Sequence, residues 1–187
     1  MPEQIRPCCW GRGGFTLIEL LTTMAVAAII VASAMPSFAA LMQNTRLISQ
    51  RDSLVSSLRY ARSTALSQNV GTQLCPFSAA GSTTCGTNWA AGWIVVLNPA
   101  GGATSTPPLT LLQTVKTTSG RSAVSSPNSA GAVTFDPRGS ATNAAQFVVC
   151  DSRGSSYAYS VQVYPTGFAE IGPTAGTAVW GGAIACP

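Results

Sequence analysis

The amino-acid sequence predicts an α+β protein, with one long N-terminal helix followed by a domain of short antiparallel strands. Three observations carry the prediction. Residues 15–35 form an apolar run with a single charge, Glu19. Residues 37–70 continue with helical spacing and one apolar stripe. From Gly71 onward the pattern changes to short β-branched or aromatic runs separated by Gly, Pro, Ser and Asn. The length of 187 residues suits one domain plus an anchor. Charged residues make up only 9% of the chain, which is low for a cytosolic enzyme and usual for an exported β-rich module.

The apolar run Phe15–Met35 is 21 residues long. As a helix rising ~1.5 Å per residue it reaches about 31 Å, the thickness of a bilayer's hydrocarbon core. Arg6 and Arg12 precede it, and a positive flank on that side keeps the N-terminus in the cytoplasm and sends the remainder outward. A buried helix of a soluble protein is rarely apolar on every face over this length. A secretory signal has an apolar region of about 7–15 residues and ends at a small-residue cleavage site. Here the small pair Gly13-Gly14 comes before the apolar run, so cleavage there removes a polar leader, residues 1–14, and leaves the helix on the mature chain.

The run Gly13-Gly14-Phe15-Thr16-Leu17-Ile18-Glu19-Leu20 resembles the type III signal of type IV prepilins and type II secretion pseudopilins. The resemblance implies cleavage between Gly14 and Phe15 by a prepilin peptidase and N-methylation of the Phe15 amine. It implies an assembly role for Glu19, whose carboxylate would pair with the Phe15 amine of a neighbouring subunit. A carboxylate within an apolar helix is costly unless neutralised or paired, which fits that role better than snorkelling to the interface. The implied location is the bacterial inner membrane, single-pass, with a periplasmic C-terminal domain that enters a pilus or pseudopilus among other pilins or pseudopilins.

Cys8 and Cys9 lie in the leader, ahead of the apolar segment, whereas a lipoprotein cysteine would follow it. They are expected to stay reduced and to leave with the leader. Leader removal takes away Glu3, Arg6 and Arg12 and leaves eight basic and five acidic side chains, a balance of +3 that is a weak signal for polyanions.

Residues 37–70 read as an amphipathic continuation of the helix. Phe38, Leu41, Ile48, Val55, Leu58, Ala61 and Ala65 form the stripe, expected to pack on the protein's own sheet, and Arg46, Arg51, Asp52, Arg59 and Arg62 decorate the rest. Pro36 removes one backbone donor inside the combined helix and is expected to kink or loosen it, a feature we group with Glu19 as assembly-related. Asn69-Val70-Gly71 supplies a stop suited to a left-handed terminus.

Seven strands are expected beyond it, at residues 72–75, 92–98, 109–116, 132–135, 146–150, 157–164 and 169–171, with surface loops at 99–108 and 117–131. Short runs with such turns favour an antiparallel sheet. The stretch Asn88-Trp89-Ala90-Ala91-Gly92-Trp93-Ile94-Val95-Val96 resembles the W-x-x-G-W signature of the GspH/FimT family of minor pilins and pseudopilins. Phe135-Asp136-Pro137-Arg138-Gly139 and Phe147-Val148-Val149-Cys150 extend the likeness over nearly the whole chain. It implies a type IV pilin-like fold, the long helix packed on an antiparallel sheet. Trp89 and Trp93 read as core aromatics that need no ligand.

Four cysteines remain beyond the leader, and four allow three pairings. Locality, together with the C-terminal disulfide loops of minor pilins, favours Cys75 with Cys85 and Cys150 with Cys186. A zinc site is disfavoured because paired C-x-x-C spacings and His are both missing from the sequence. The lack of His also removes Ser-His-Asp and Cys-His catalysis. Asp136 and Asp151 sit where turn chemistry explains them. With no phosphate loop, nucleotide fingerprint or metal motif, the sequence points away from an enzyme, a cofactor and a small-molecule substrate.

The resemblance leaves three functions. The first is a minor pilin of a type IV pilus that primes or caps the fibre. The second is an H-type pseudopilin of a type II secretion system. The third is a pilus-associated DNA-binding subunit for natural transformation, with Lys116, Arg121, Arg138 and Arg153 as a phosphate-binding patch. The DNA-binding relatives carry a Gly-Arg-rich motif near the C-terminus. The counterpart here, Thr166-Gly167-Phe168-Ala169-Glu170, has no Arg and gains an acid, so scattered solvated arginines are the better reading.

Overall fold

The structure is a computed structural model that describes residues 14–79, 82–99, 109–117 and 122–186. The chain divides into two compact units, the first ending at Leu41 and the second starting at Met42. Helix α1 (Leu17–Gln68) contributes to both. Its backbone stays helical at Pro36. It ends where the sequence supplies a stop: Asn69 adopts φ 54°, the left-handed conformation that Asn tolerates and that closes helix C-termini. The Thr72 hydroxyl then donates to the Ala61 carbonyl at 2.7 Å, fixing the exit into the first strand.

In the first unit the helix presents large apolar side chains on every side. Leu17, Ile18, Leu20, Leu21, Met24, Ile29 and Met35 are all more than half exposed. Phe38 and Leu41, placed in the packing stripe on sequence grounds, are exposed as well, at 64% and 59%. That part of the stripe is corrected: the buried face of α1 begins at Leu47 and runs through Leu54, Val55, Leu58, Ala61 and Ala65. Leu47, Leu54 and Ala61 repeat at seven residues, two helical turns, and so share one face.

The second unit holds eight strands: β1 (Thr72–Pro76), β2 (Gly92–Leu97), β3 (Thr110–Lys116), β4 (Ser122–Ser125), β5 (Val133–Phe135), β6 (Ala145–Asp151), β7 (Tyr159–Val163) and β8 (Ala169–Ile171). They form two four-stranded antiparallel sheets, ordered β3-β2-β1-β5 and β4-β6-β7-β8, where the sequence suggested one. Strand β4 falls inside the expected loop 117–131. Ser122-Ala123-Val124-Ser125 carries one bulky apolar residue, Val124, too little alternation to announce a strand, and pairing with β6 defines it. Tyr157 closes a short 3-10 turn, Ser155–Tyr157, and the strand expected from 157 starts at Tyr159.

Both sheets meet α1 in one core. Leu74, Trp93, Val95, Val133 and Phe135 of the first sheet and Val124, Phe147, Val149, Val161 and Val163 of the second join the buried face of the helix. Trp89 and Phe147 contact edge to face across the sheets, with centroids 4.8 Å apart. Alternate residues on the same strands fill two outer clusters. Cys75, Ile94 and Val96 lie with Leu109, while Val148 and Cys150 lie with Ala158, Ala178 and Ile184. Cover on both faces explains the unbroken apolar runs Ile94-Val95-Val96 and Phe147-Val148-Val149.

A disulfide joins each outer cluster to its covering segment. Cys75 is bonded to Cys85 with Cα atoms 5.5 Å apart, and Cys150 to Cys186 at 5.8 Å. The second carries the C-terminal segment onto β6. Ser160 helps: its buried hydroxyl donates to the Thr177 carbonyl at 2.9 Å and accepts from the Val179 amide at 3.1 Å.

Candidate assembly and processing site

The residues around the Gly14-Phe15 bond lead directly into α1. Gly14, Phe15 and Thr16 are non-helical, and Thr16 caps the helix. Its carbonyl accepts from the Leu20 amide at 3.1 Å and its hydroxyl accepts from the Glu19 amide at 3.3 Å. Thr16-x-x-Glu19 is the sequence pattern of a capping box, a local signal for where α1 begins. Among the described residues no atom lies within 4 Å of a Cβ placed at Gly14, and Phe15 is 78% exposed.

Glu19 stands in the first turn of α1, exposed, and its carboxylate has no hydrogen-bond or ion-pair partner among the described residues. The other polar side chains near it are satisfied within the helix. Thr22 donates to the Glu19 carbonyl at 3.1 Å, Thr23 to Leu20 at 3.0 Å and Ser33 to Ile30 at 2.9 Å. Such back-bonding lets hydroxyls sit in an apolar setting without an unmet donor. Glu19 is thus the one charged group on an all-round apolar surface, set four residues from Phe15.

The remaining candidates lie in the second unit. Arg153 does not have the free guanidinium expected of a phosphate contact. It pairs with Asp151 at 2.8 Å, donates to Asn44 Oδ1 at 2.7 Å and stacks over Tyr157 at 4.3 Å. Lys116 sits at the end of β3 with its ammonium 5.4 Å over the Phe77 ring. Arg138 is exposed in the turn after β5, and Arg121 lies outside the described residues. Asp136 serves that turn: its carboxylate accepts from the amides of Arg138 and Ser140 at 2.9 and 2.8 Å. Trp89 and Trp93 are both in the core, with indole N–H groups donating to the Ala130 carbonyl and the Ser57 hydroxyl.

Arg62 escaped the sequence reading, which placed it on the solvated face. Its guanidinium donates to the carbonyls of Gly139 and Thr166 at 2.9 and 3.2 Å, tying the β5 turn and the β7–β8 hairpin to α1. The two turns touch closely. Gly167 has φ 76°, and a Cβ there would lie 1.9 Å from the Gly139 carbonyl oxygen, so only glycine fits. Across the same hairpin the Tyr164 hydroxyl donates to Glu170 at 2.6 Å. This bond favours the protonated phenol and raises its pKa above the ordinary 10.0, with desolvation and the charge of Glu170 acting in the same direction. Among the described residues no group of three or more His, Cys, Asp or Glu is placed to hold a metal ion.

Comparison with known proteins gives two family matches. Residues 50–167 match the model of the family described as type II transport protein GspH, and residues 11–35 match the prokaryotic N-terminal methylation motif. Among solved structures the chain is similar to two crystal forms of the type IV minor pilin FimU of Pseudomonas aeruginosa. The first has a TM-score of 0.54 at 19% identity, covering 71% of this chain and 92% of that one. The second has a TM-score of 0.51 at 19% identity, covering 68% and 93%. At that identity the likeness is one of fold. A search of curated proteins found no match.

Proposed function

Since the chain belongs to the GspH family, and its N-terminus carries the methylation motif, we propose that it works as a minor pilin subunit of a type IV pilus. In this reading a prepilin peptidase cuts between Gly14 and Phe15, and the new Phe15 amine is methylated. The helix holds the subunit in the inner membrane with the C-terminal domain in the periplasm. It then leaves the bilayer into a bundle of like helices, and Glu19 sets each subunit's axial position against a neighbour's Phe15 amine. The work is packing and not catalysis, and it needs no cofactor.

One observation carries the reading: an all-round apolar, exposed helical segment whose one charge, Glu19, has no partner among the described residues. Apolar surface of this extent is stable only against lipid or other helices. A lone acid there needs a partner from outside the chain. The FimU fold likeness supports the pilus over other settings. The family match itself supports a second reading, an H-type pseudopilin of a type II secretion system. Nothing comparable supports DNA binding, since Arg153 is already engaged by Asp151, Asn44 and Tyr157.

Glu19→Ala tests the mechanism. The variant is expected to insert into membranes as the parent does and to be depleted at least about tenfold from sheared fibres, the loss of one charge-assisted contact worth roughly 1.4 kcal/mol or more. Fibres that incorporate Glu19→Ala at the parental level would exclude the pairing.

A further inference from the structure

We propose that a groove on the second unit is a binding site for an extended, acidic segment of another protein. The groove has a volume of about 580 Å³, within the range of ~300–1,000 Å³ usual for ligand sites. Arg46 and Gln50 line it from α1, Lys116 from the end of β3, Ser122 from the start of β4, and Trp93 contributes to its wall.

Charge selects the ligand. Among the described residues two cations line the groove and no acid does. Asp52, the acid on this part of α1, is held by Arg51 at 2.7 Å. Arg46 and Lys116 make no ion pair among the described residues, and the ring of Phe77 beneath the Lys116 ammonium leaves its charge in place. An anionic occupant is therefore favoured on entry and in the bound state.

The strands beside the groove make that occupant a peptide. Strands β3 and β4 are both edge strands, one in each sheet, and their ends line this groove. A peptide backbone can pair with such an edge, whereas a phosphodiester has no amide donor to offer. Edge strands accept added extended segments through backbone pairing. The inference does not depend on whether the assembled fibre is a pilus or a secretion pseudopilus.

Fluorescence anisotropy with the full chain in detergent micelles tests it. The probes are a fluorescein-labelled peptide Val-Asp-Val-Glu-Val-Asp, its neutral counterpart Val-Asn-Val-Gln-Val-Asn, and a labelled oligothymidylate. The acidic peptide is expected to bind saturably and the neutral one roughly tenfold more weakly. Arg46→Ala and Lys116→Ala, both at exposed positions, should each cost the acidic peptide about tenfold, the equivalent of ~1.4 kcal/mol. Three results would overturn the proposal: no binding of the acidic peptide, binding unchanged in Arg46→Ala and Lys116→Ala, or displacement of the peptide by a tighter-binding oligothymidylate.

Discussion

Arg62 shows how a single side chain holds the β-rich unit together. Basic residues on an amphipathic helix ordinarily point to water, and the spacing of Arg59 and Arg62 gave no reason to separate them. Only the arrival of two turns distant in sequence, at Gly139 and Thr166, distinguishes Arg62. Arg62→Ala should lower stability by about 1.5–3 kcal/mol, since two carbonyls lose a charged donor. Arg62→Lys should recover part of that, because an ammonium cannot span both acceptors with the guanidinium's fork; chemical denaturation measures both. Tyr164 and Glu170 make a prediction about pH. The folded phenol titrates above the ordinary value, so its contribution is full below about pH 10 and is lost as pH rises through the folded pKa. Absorbance titration should show Tyr164 ionising above the ordinary value, and Glu170→Gln should bring it back toward that value. At this scale the sequence exposes what local chemistry decides: the left-handed stop at Asn69 and the turn role of Asp136. It hides what depends on distant partners, as with Arg62 and Arg153. Thr16 is a third kind, a local capping signal present in the sequence and passed over.

At the scale of elements, α1 changes character along its length. Its exposed part has no inward face, while from Leu47 on it has one that packs on both sheets. The stripe read from the sequence had the right period but was anchored at Phe38 and Leu41, so it passed beside Leu47 and Leu54. Leucine is equally at home in a stripe or on lipid, and nothing in the local pattern says where one role gives way to the other. Leu54→Ala should cost about 2–5 kcal/mol as a cavity in the core. Phe38→Ala, at an exposed position, should leave the unfolding free energy within about 0.5 kcal/mol of the parent. Thermal unfolding in detergent distinguishes the two. Equal losses would mean that the buried face starts earlier than Leu47. Strands with bulky apolar runs, such as β2 and β6, were legible to within a residue or two. Strand β4 was not, because serine-rich edge strands owe their conformation to the neighbour they pair with. The disulfides act at this scale as well. Closing loops separated by 10 and 36 residues restricts the unfolded chain by about 3 and 4 kcal/mol respectively in the chain-entropy model.

The molecule as a whole carries two kinds of surface. The second unit satisfies its own core, with helix, sheets and stapled outer covers. The first unit leaves its described apolar side chains uncovered, the surface that the proposed anchoring and bundling would cover. Family membership and the methylation motif agree with that division of labour, and the FimU likeness agrees with the fold. The fold class was legible because hydrophobic period and turn composition both change at Gly71. The candidate site was legible because a lone acid in a long apolar run stands out. The sheet count and the groove were not, since both arise from contacts between strands far apart in sequence. The central claim is that the chain is trimmed at Gly14-Phe15 and then anchored by the helix that follows. Intact-mass spectrometry of the chain extracted from bacterial membranes tests it most directly. The account predicts a species that begins at Phe15 and carries one methyl group on its amine; a membrane-free chain that retains residues 1–14 would contradict it.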